Sequence, residues 1–351
     1  MAESRMDSRL DSLKKHGSNS ISYLTLWDGL SIFHGEWEGY IAHKDRLRVS
    51  VVLGDPVVPV SEMKKAVGDL KDHFKSRGSH ICFFACTEKT SRLLIDEGFK
   101  CLYIGSEAVV DLEEFSLAGG RMHSVRSSVN YARRHNLVME EYVPENGRDE
   151  SIEQEVMYIS QDWCTSQRIP ELRFMIGKLN FEITEGKRYF LCRHEDKAVS
   201  FIVYYPVFAT GDYYLDLMRR RKDAPRGCMD FLLAESFDQI VKEGVGKIYL
   251  GFSPFSFLNS PKNANPHYAN SLFTFLSDPF EFFYPAQSEF MFKNKFATSW
   301  EPNYLCYYPR LTMRGLFAIL DAFCPGGLGS ILSHKAKMFT RSRSSRTPKG
   351  L

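Results

Sequence analysis

One order of secondary-structure signals runs twice along this chain, and that repetition limits its folds more than any other feature. In the first half, residues 41–53 alternate and turn like a strand pair, stopping at Gly54-Asp55-Pro56. Ser61 then caps a helix through about Arg77, with Met63, Ala66, Val67, Leu70 and Phe74 on one stripe. A short apolar strand (81–86), a helix ended by Gly98 (88–97) and a further strand (102–112) follow. The second half repeats the plan. A helix (151–168) precedes a strand pair (188–193 and 198–208) and a strand (213–218). A helix over 227–243, with Met229, Leu232, Leu233, Phe237, Ile240 and Val241 on its inner face, closes at Gly244, and strands at 247–251 and 304–308 complete the half. Strands alternating with helices in this way predict an α/β protein of two similar units.

At 351 residues the chain has room for two ordinary domains. Its formal net charge of only +2 rules out a general polycation. Basic charge is concentrated at 334–351, where Lys335, Lys337, Arg341, Arg343, Arg346 and Lys349 stand without an acid. Such a block is a solvated tail, or, beside a membrane-facing helix, one drawn to anionic lipid. The preceding pattern, 310–324, sets Met313, Leu316, Phe317, Leu320 and Phe323 on one side, an amphipathic helix that packs on the core or docks on lipid. Eight cysteines without a CxxC pair read as reduced and buried, with no disulfide frame and no metal site. The polar first twenty residues hold no apolar h-region, and no run of about 18 apolar residues occurs, which predicts a cytoplasmic chain. Aromatics crowd into 252–292, as the core of the second unit or the wall of an apolar channel.

Three segments combine charge, glycine and aromatics in ways a plain core does not need. Asp216-Leu217-Met218-Arg219-Arg220 ends a strand-like run. Residues three apart on a strand face opposite sides, so Asp216 and Arg219 reach one pocket only if the strand ends or bulges between them, and the charge run from Arg219 to Lys222 points to an end. Arg226 and Gly227 open a helix whose first turn carries Asp230, a modest anion site. Glu301, held between Trp300 and Pro302, could take a proton or pair with an ammonium, with Lys293 and Lys295 nearby for phosphate or ester oxygens. Arg121, Arg126, Arg133 and Arg134 lie in a basic helical stretch that either bridges the halves or contacts phosphate. No HExxH, GxSxG, P-loop or GxGxxG occurs.

The ordered motifs DLMRR, P-x-G-x-MDFL, LG-x-x-P-x-S, K-x-KF and WEP-x-YL resemble the C-terminal catalytic domain of the phosphatidylglycerol lysyltransferases, the multiple peptide resistance factors. The resemblance runs from about Gly54 to Tyr308 and implies two fused lobes like those of GNAT acyltransferases, with mixed sheets flanked by helices. It partitions the chain into a polar leader (1–20), a first lobe (21–118), a basic linking helix (119–140), a second lobe (141–310), an amphipathic helix (311–333) and a basic disordered tail (334–351).

The activity implied is direct transfer of an amino acid from aminoacyl-tRNA to a lipid hydroxyl, without a cofactor, on the inner face of the cell membrane. Carried over by position, Asp216 and Arg219 hold the aminoacyl group and polarise its ester, and Glu301 orients the amine or acts as base. Arg226, Lys295 and Ser253 line the phosphate side with Gly227, Asp230 and Lys293, while Trp300 and Tyr304 shape the pocket. Arg121, Arg126, Arg133 and Arg134 meet tRNA or lipid phosphate. The membrane-embedded half of many relatives is not expected here, and Gly251-Phe252-Ser253-Pro254-Phe255 departs from the family's usual run, leaving amino acid and lipid open. Two rivals stand beside this reading. One is a GNAT-type N-acyltransferase using an acyl thioester, against which the missing Q/R-x-x-G-x-G/A loop argues. The other is a non-catalytic module that binds tRNA or anionic lipid.

Overall fold

In a computed structural model the described residues are 2–166, 177, 179, 181–254, 256, 265–266, 270 and 286–323. Their strands are β1 (Ser31–Phe33), β2 (Ile41–Arg46), β3 (Val49–Leu53), β4 (His80–Cys86), β5 (Lys100–Asp111), β6 (Val138–Tyr142), β7 (Arg188–His194), β8 (Lys197–Val207), β9 (Asp212–Arg220), β10 (Lys247–Pro254) and β11 (Ser299–Tyr308). All lie in one mixed sheet of order β1-β2-β3-β4-β11-β5-β10-β9-β8-β7-β6. Only β3–β4 and β9–β10 pair in parallel. The hairpins β2–β3 and β7–β8 turn through Leu47-Arg48 and Glu195-Asp196, each pair at positive φ, the twist that two-residue hairpin loops require.

Alternation along the strands feeds a core on each side of this sheet. Val51, Cys82, Tyr189, Val203, Tyr205 and Leu217 belong to one core, which also takes in Leu10 and Leu13 of α1 (Ala2–His16), a 3-10 turn (Ser22–Leu26), Val156 and Ile159 of α5 (Glu150–Ser166), and Ala318 and Ile319 of α8 (Met313–Phe323). On the opposite face the first half packs on α2 (Met63–Ser76) and α3 (Glu88–Asp96). The second half packs there on α4 (His123–Arg134), α6 (Cys228–Ile240) and α7 (Ala286–Phe296).

The α/β class and the helix-flanked mixed sheet are as the sequence indicates. The two halves, however, share a single sheet, and β11, from the end of the second half, pairs with both β4 and β5 of the first. That insertion joins residues some two hundred positions apart, which no local pattern encodes. The polar leader is a helix that buries two leucines against the sheet. The expectation that every cysteine is free is corrected: Cys101 on β5 and Cys306 on β11 face each other in the ladder and form a disulfide. The aromatic run and the basic tail fall largely or wholly outside the described residues. No helix among the described residues is long and apolar enough to cross a membrane.

Candidate active site

The ladders around the middle of the sheet are interrupted by bulges on neighbouring strands. Ala85 on β4, Ile104 on β5 and Asp216 on β9 are each one residue too many for their partners, and β10 slips by one between Tyr249 and Phe252. Bulges re-aim side chains and gather next to sites of chemistry. The parallel pair β9–β10 holds only at Ile248↔Tyr213 and Tyr249↔Tyr214, so the strands part just before Asp216.

The bulge answers the geometric condition on Asp216 and Arg219. The strand runs on to Arg220, but with Asp216 as the extra residue, Arg219 comes to the same face. There Asp216 Oδ1 accepts the Gly177 N–H at 2.7 Å. Its Oδ2 is buried without a well-formed hydrogen bond, and the Tyr205 hydroxyl is the side-chain donor beside this carboxylate. Burial pushes this carboxyl up to about 6, opposed by the Gly177 N–H, the adjacent Tyr205 hydroxyl, and the charges of Lys187 and Arg219. Arg219 is buried over the Trp163 ring (5.0 Å) and donates to Ser160 Oγ and to Cys164 Sγ at 3.5 Å. Lys187 sits at 5.0 and 5.5 Å from the Tyr205 and Tyr23 ring centres, and burial brings its ammonium down to about 8.

A second buried acid faces the same side across β10. Glu107 on β5 accepts the Ser20 hydroxyl at 2.7 Å through Oε2, and its Oε1 is buried without a partner. Burial raises its carboxyl to about 7, with Ser20 opposing, Glu301 adding to the rise and Lys293 easing it. Between Glu107 and Asp216 the floor is Gly251, at φ +90, beside the Tyr214 hydroxyl and Lys293 Nζ. Lys293 donates to the Gly251 and Phe252 carbonyls at 3.3 and 3.0 Å and lies 3.7 Å from Glu289, and burial lowers its pKa. Asp216 and Glu107 both push the buried Tyr214 hydroxyl further up.

The other expected site residues divide. Glu301 is level with Glu107 on β11, but its half-exposed carboxylate pairs with Lys247 at 3.7 Å. It lies three strands from Asp216, about 14 Å at ordinary strand spacing. The expected meeting of three groups is therefore a meeting of two, because β10 and β5 intervene. Asp230 occupies the first turn of α6, where it pairs with Lys295 at 3.5 Å, so that helix end already holds an anion. Arg226 is exposed, and Gly227 caps the helix in the left-handed region, packed on Ser128. Ser253 is buried with its hydroxyl unpartnered, Trp300 stacks on Phe290, and Tyr304 lies 5.8 Å from Tyr103. Three of the four arginines of the basic stretch serve the protein's own structure. Arg121 ties down the Asn294 and Ala297 carbonyls, Arg126 those of Leu117 and Gly119, and Arg133 pairs with Glu235 at 2.6 Å. Arg134 is exposed and bonds only its own helix.

Glu107, Lys187, Tyr205 and Tyr214 were not singled out by sequence. The one usable signal was an acid inside the apolar strand 102–112, where a carboxylate is costly to bury. The channel wall expected from the aromatic run lies mostly outside the described residues.

Comparison with known proteins places these features in a wider group. A family model described as phosphatidylglycerol lysyltransferase, C-terminal, matches residues 10–307. The phosphatidylglycerol lysyltransferase of Bacillus subtilis is 24% identical over 297 residues, covering 84% of this chain and 34% of that protein. The chain thus spans about a third of the length of the curated relatives it matches. Two solved structures share the fold, each at 22% identity. The C-terminal DUF2156 domain from Agrobacterium fabrum has a TM-score of 0.78, covering 92% of this chain and 98% of that one. L-PGS from Bacillus licheniformis has a TM-score of 0.77, covering 90% and 95%.

Proposed function

Since the chain belongs to the phosphatidylglycerol lysyltransferase C-terminal family, we propose that it moves an amino acid, lysine first among candidates, from aminoacyl-tRNA to a hydroxyl of phosphatidylglycerol. The observation that carries this reading is Asp216, a buried carboxylate on a bulge, with one oxygen fixed by Gly177 and the other without a well-formed hydrogen bond. An unsatisfied buried lone pair costs stability unless a ligand completes it, and an ammonium is the natural complement. Asp216 holds the α-ammonium of the donor, and the Gly177 N–H and Tyr205 hydroxyl, followed by the charges of Lys187 and Arg219, favour the ionised carboxylate against its burial. The lipid oxygen then bonds to the ester carbonyl carbon, and the bond from that carbon to the tRNA ribose oxygen breaks. The lipid's hydroxyl proton ends on the ribose oxygen. One ester replaces another, so the protein's contribution is placement and positive charge near the developing oxyanion.

The test is incubation with radiolabelled aminoacyl-tRNAs and phosphatidylglycerol vesicles, followed by lipid extraction. Label is expected in the lipid with lysyl-tRNA. Lipid without label, for every tRNA and headgroup tried, removes the proposal.

Contact with the membrane falls to α8. Its Ala318, Ile319 and Ala322 face the core, while Met313, Phe317 and Leu320 stand in solvent beside exposed Arg314. Three large apolar groups at i, i+4 and i+7 with a neighbouring cation suit an anionic lipid surface. Met313→Ser together with Phe317→Ser is expected to weaken binding to phosphatidylglycerol vesicles in flotation about 30-fold, each lost apolar contact contributing on the order of 1 kcal/mol. Unchanged flotation would move the contact elsewhere.

A further inference from the structure

We propose that Lys187 is a positioning residue for Asp216: its ammonium, held against the face of the Tyr205 ring, acts together with the Tyr205 hydroxyl to keep that carboxylate ionised. The assignment rests on the transfer reaction proposed above and gives Asp216 two supporting residues.

Lys187 stands one residue ahead of β7 and is 1% exposed. Lysine is almost never buried so completely without a charge close by. Its Nζ lies 5.0 Å from the centre of the Tyr205 ring and 5.5 Å from that of Tyr23. The two rings pack on each other at 4.8 Å, and the Tyr23 hydroxyl donates to the Glu185 carbonyl at 3.1 Å, just ahead of Lys187 in the chain. Aromatic faces hold a cation most strongly where water is excluded, as it is here.

Tyr205 touches both ends of this arrangement. It lies on β8 opposite Tyr214, beside the step at which Asp216 becomes the extra residue of β9. Its ring carries the ammonium, and its hydroxyl lies beside the Asp216 carboxylate. A side chain at Gly177 would run into both the Tyr205 hydroxyl and Asp216 Oδ2, so the two oxygens converge on one point that glycine leaves open. A cation over a phenol ring draws electron density from its oxygen and makes the hydroxyl a stronger donor to the carboxylate.

The surrounding charges leave Asp216 as the chief partner of Lys187. Glu182 and Glu185, from the segment ahead of β7, pull on the ammonium less than Asp216 does. Asp216 in turn faces Arg219 and Tyr214 of its own strand, Tyr189 of β7 and Tyr205 of β8. Burial brings the ammonium down to about 8 and the carboxyl up to about 6, so between those values both are charged. A lysine lowered by folding costs stability below its folded value, and the cost fades as pH climbs from 8 to the ordinary lysine range. Methionine would fill the same space without that cost.

The experiment compares Lys187→Met with the unsubstituted protein. The Asp216 carboxyl is followed by carbon-13 NMR of aspartate-labelled protein, its signal being the one missing from Asp216→Asn. Transfer to lipid is measured alongside, across about pH 5 to 9. Lys187→Met should raise the Asp216 midpoint by about one pH unit, the effect of losing a nearby opposite charge. Its kcat/KM should be about fivefold low at pH 6 and recover to near the parent's above pH 8, where the carboxylate ionises without help. A purely structural lysine would lower transfer equally at every pH. Tyr205→Phe keeps the ring and loses one oxygen. It should raise the midpoint likewise, and it carries the test should Lys187→Met fail to fold. An Asp216 midpoint that stays in place in either folded variant overturns the assignment. The NMR reading needs no turnover, so the two proposals fail separately. A midpoint that moves as expected with no label in lipid would keep Lys187 as the group that ionises Asp216 and refute the transfer reaction.

Discussion

Asp216→Asn is expected to lower kcat/KM for transfer to lipid by about 10²- to 10³-fold, the usual consequence of removing a buried charge that meets its partner in the reacting complex. Asparagine keeps the shape, and its Oδ1 can still accept the Gly177 N–H, so the bulge survives. What disappears is the negative charge on the oxygen without a well-formed hydrogen bond. The fold should not suffer. A carboxyl raised to about 6 in the folded protein, above its ordinary value, contributes stability in acid that is lost as pH climbs through 6. At pH 7.5 the ionised aspartate is a cost, and the asparagine variant should melt no lower than the parent. Activity runs the other way, because only the carboxylate holds an ammonium: kcat/KM of the parent should rise through about pH 6 and level above it. A variant whose kcat/KM stays within threefold of the parent would show that Asp216 is a structural acid.

That aspartate was legible in the sequence because a charged pair interrupts an apolar strand, and the condition for Asp216 and Arg219 to share a face was stated correctly as an end or a bulge. The charge run from Arg219 to Lys222 points to an end, and that expectation is corrected: the strand runs on to Arg220 and bulges at Asp216. A bulge is fixed by the partner strand, here the step from Val203 to Tyr204, and the partner's register is absent from the local pattern. Helices and strands were readable for the opposite reason, since Met63–Ser76 or Val49–Leu53 carry their own periodicity. Glu301 illustrates the limit. Its stiff Trp-Glu-Pro setting marked it, but its distance from Asp216 depends on β11 entering between β4 and β5. The same insertion pairs Cys101 with Cys306, a contact no cysteine spacing announces. Glu107 carried a signal of cost, not of motif.

Gly105→Ala is expected to produce a large loss of stability for a single added methyl. Gly105 lies on the central strand β5 at φ +153, where side chains are rarely accommodated. A Cβ there would come 2.4 Å from the Ser253 carbonyl oxygen on β10 and 2.7 Å from the Phe252 ring. The carbonyl is main chain in a paired strand, so it cannot swing aside as a side-chain tip would. Backbone strain and the forced separation of β5 from β10 together cost about 3–4 kcal/mol, equivalent to a fall in Tm of roughly 4–5 °C for a protein of this size. Gly98→Ala is the control. Its φ of +87 imposes strain but nothing lies within 4 Å of the added carbon, so about 1 kcal/mol is expected. If the two alanine variants melt together, the close approach of β5 to β10 at Gly105 does not carry that stability.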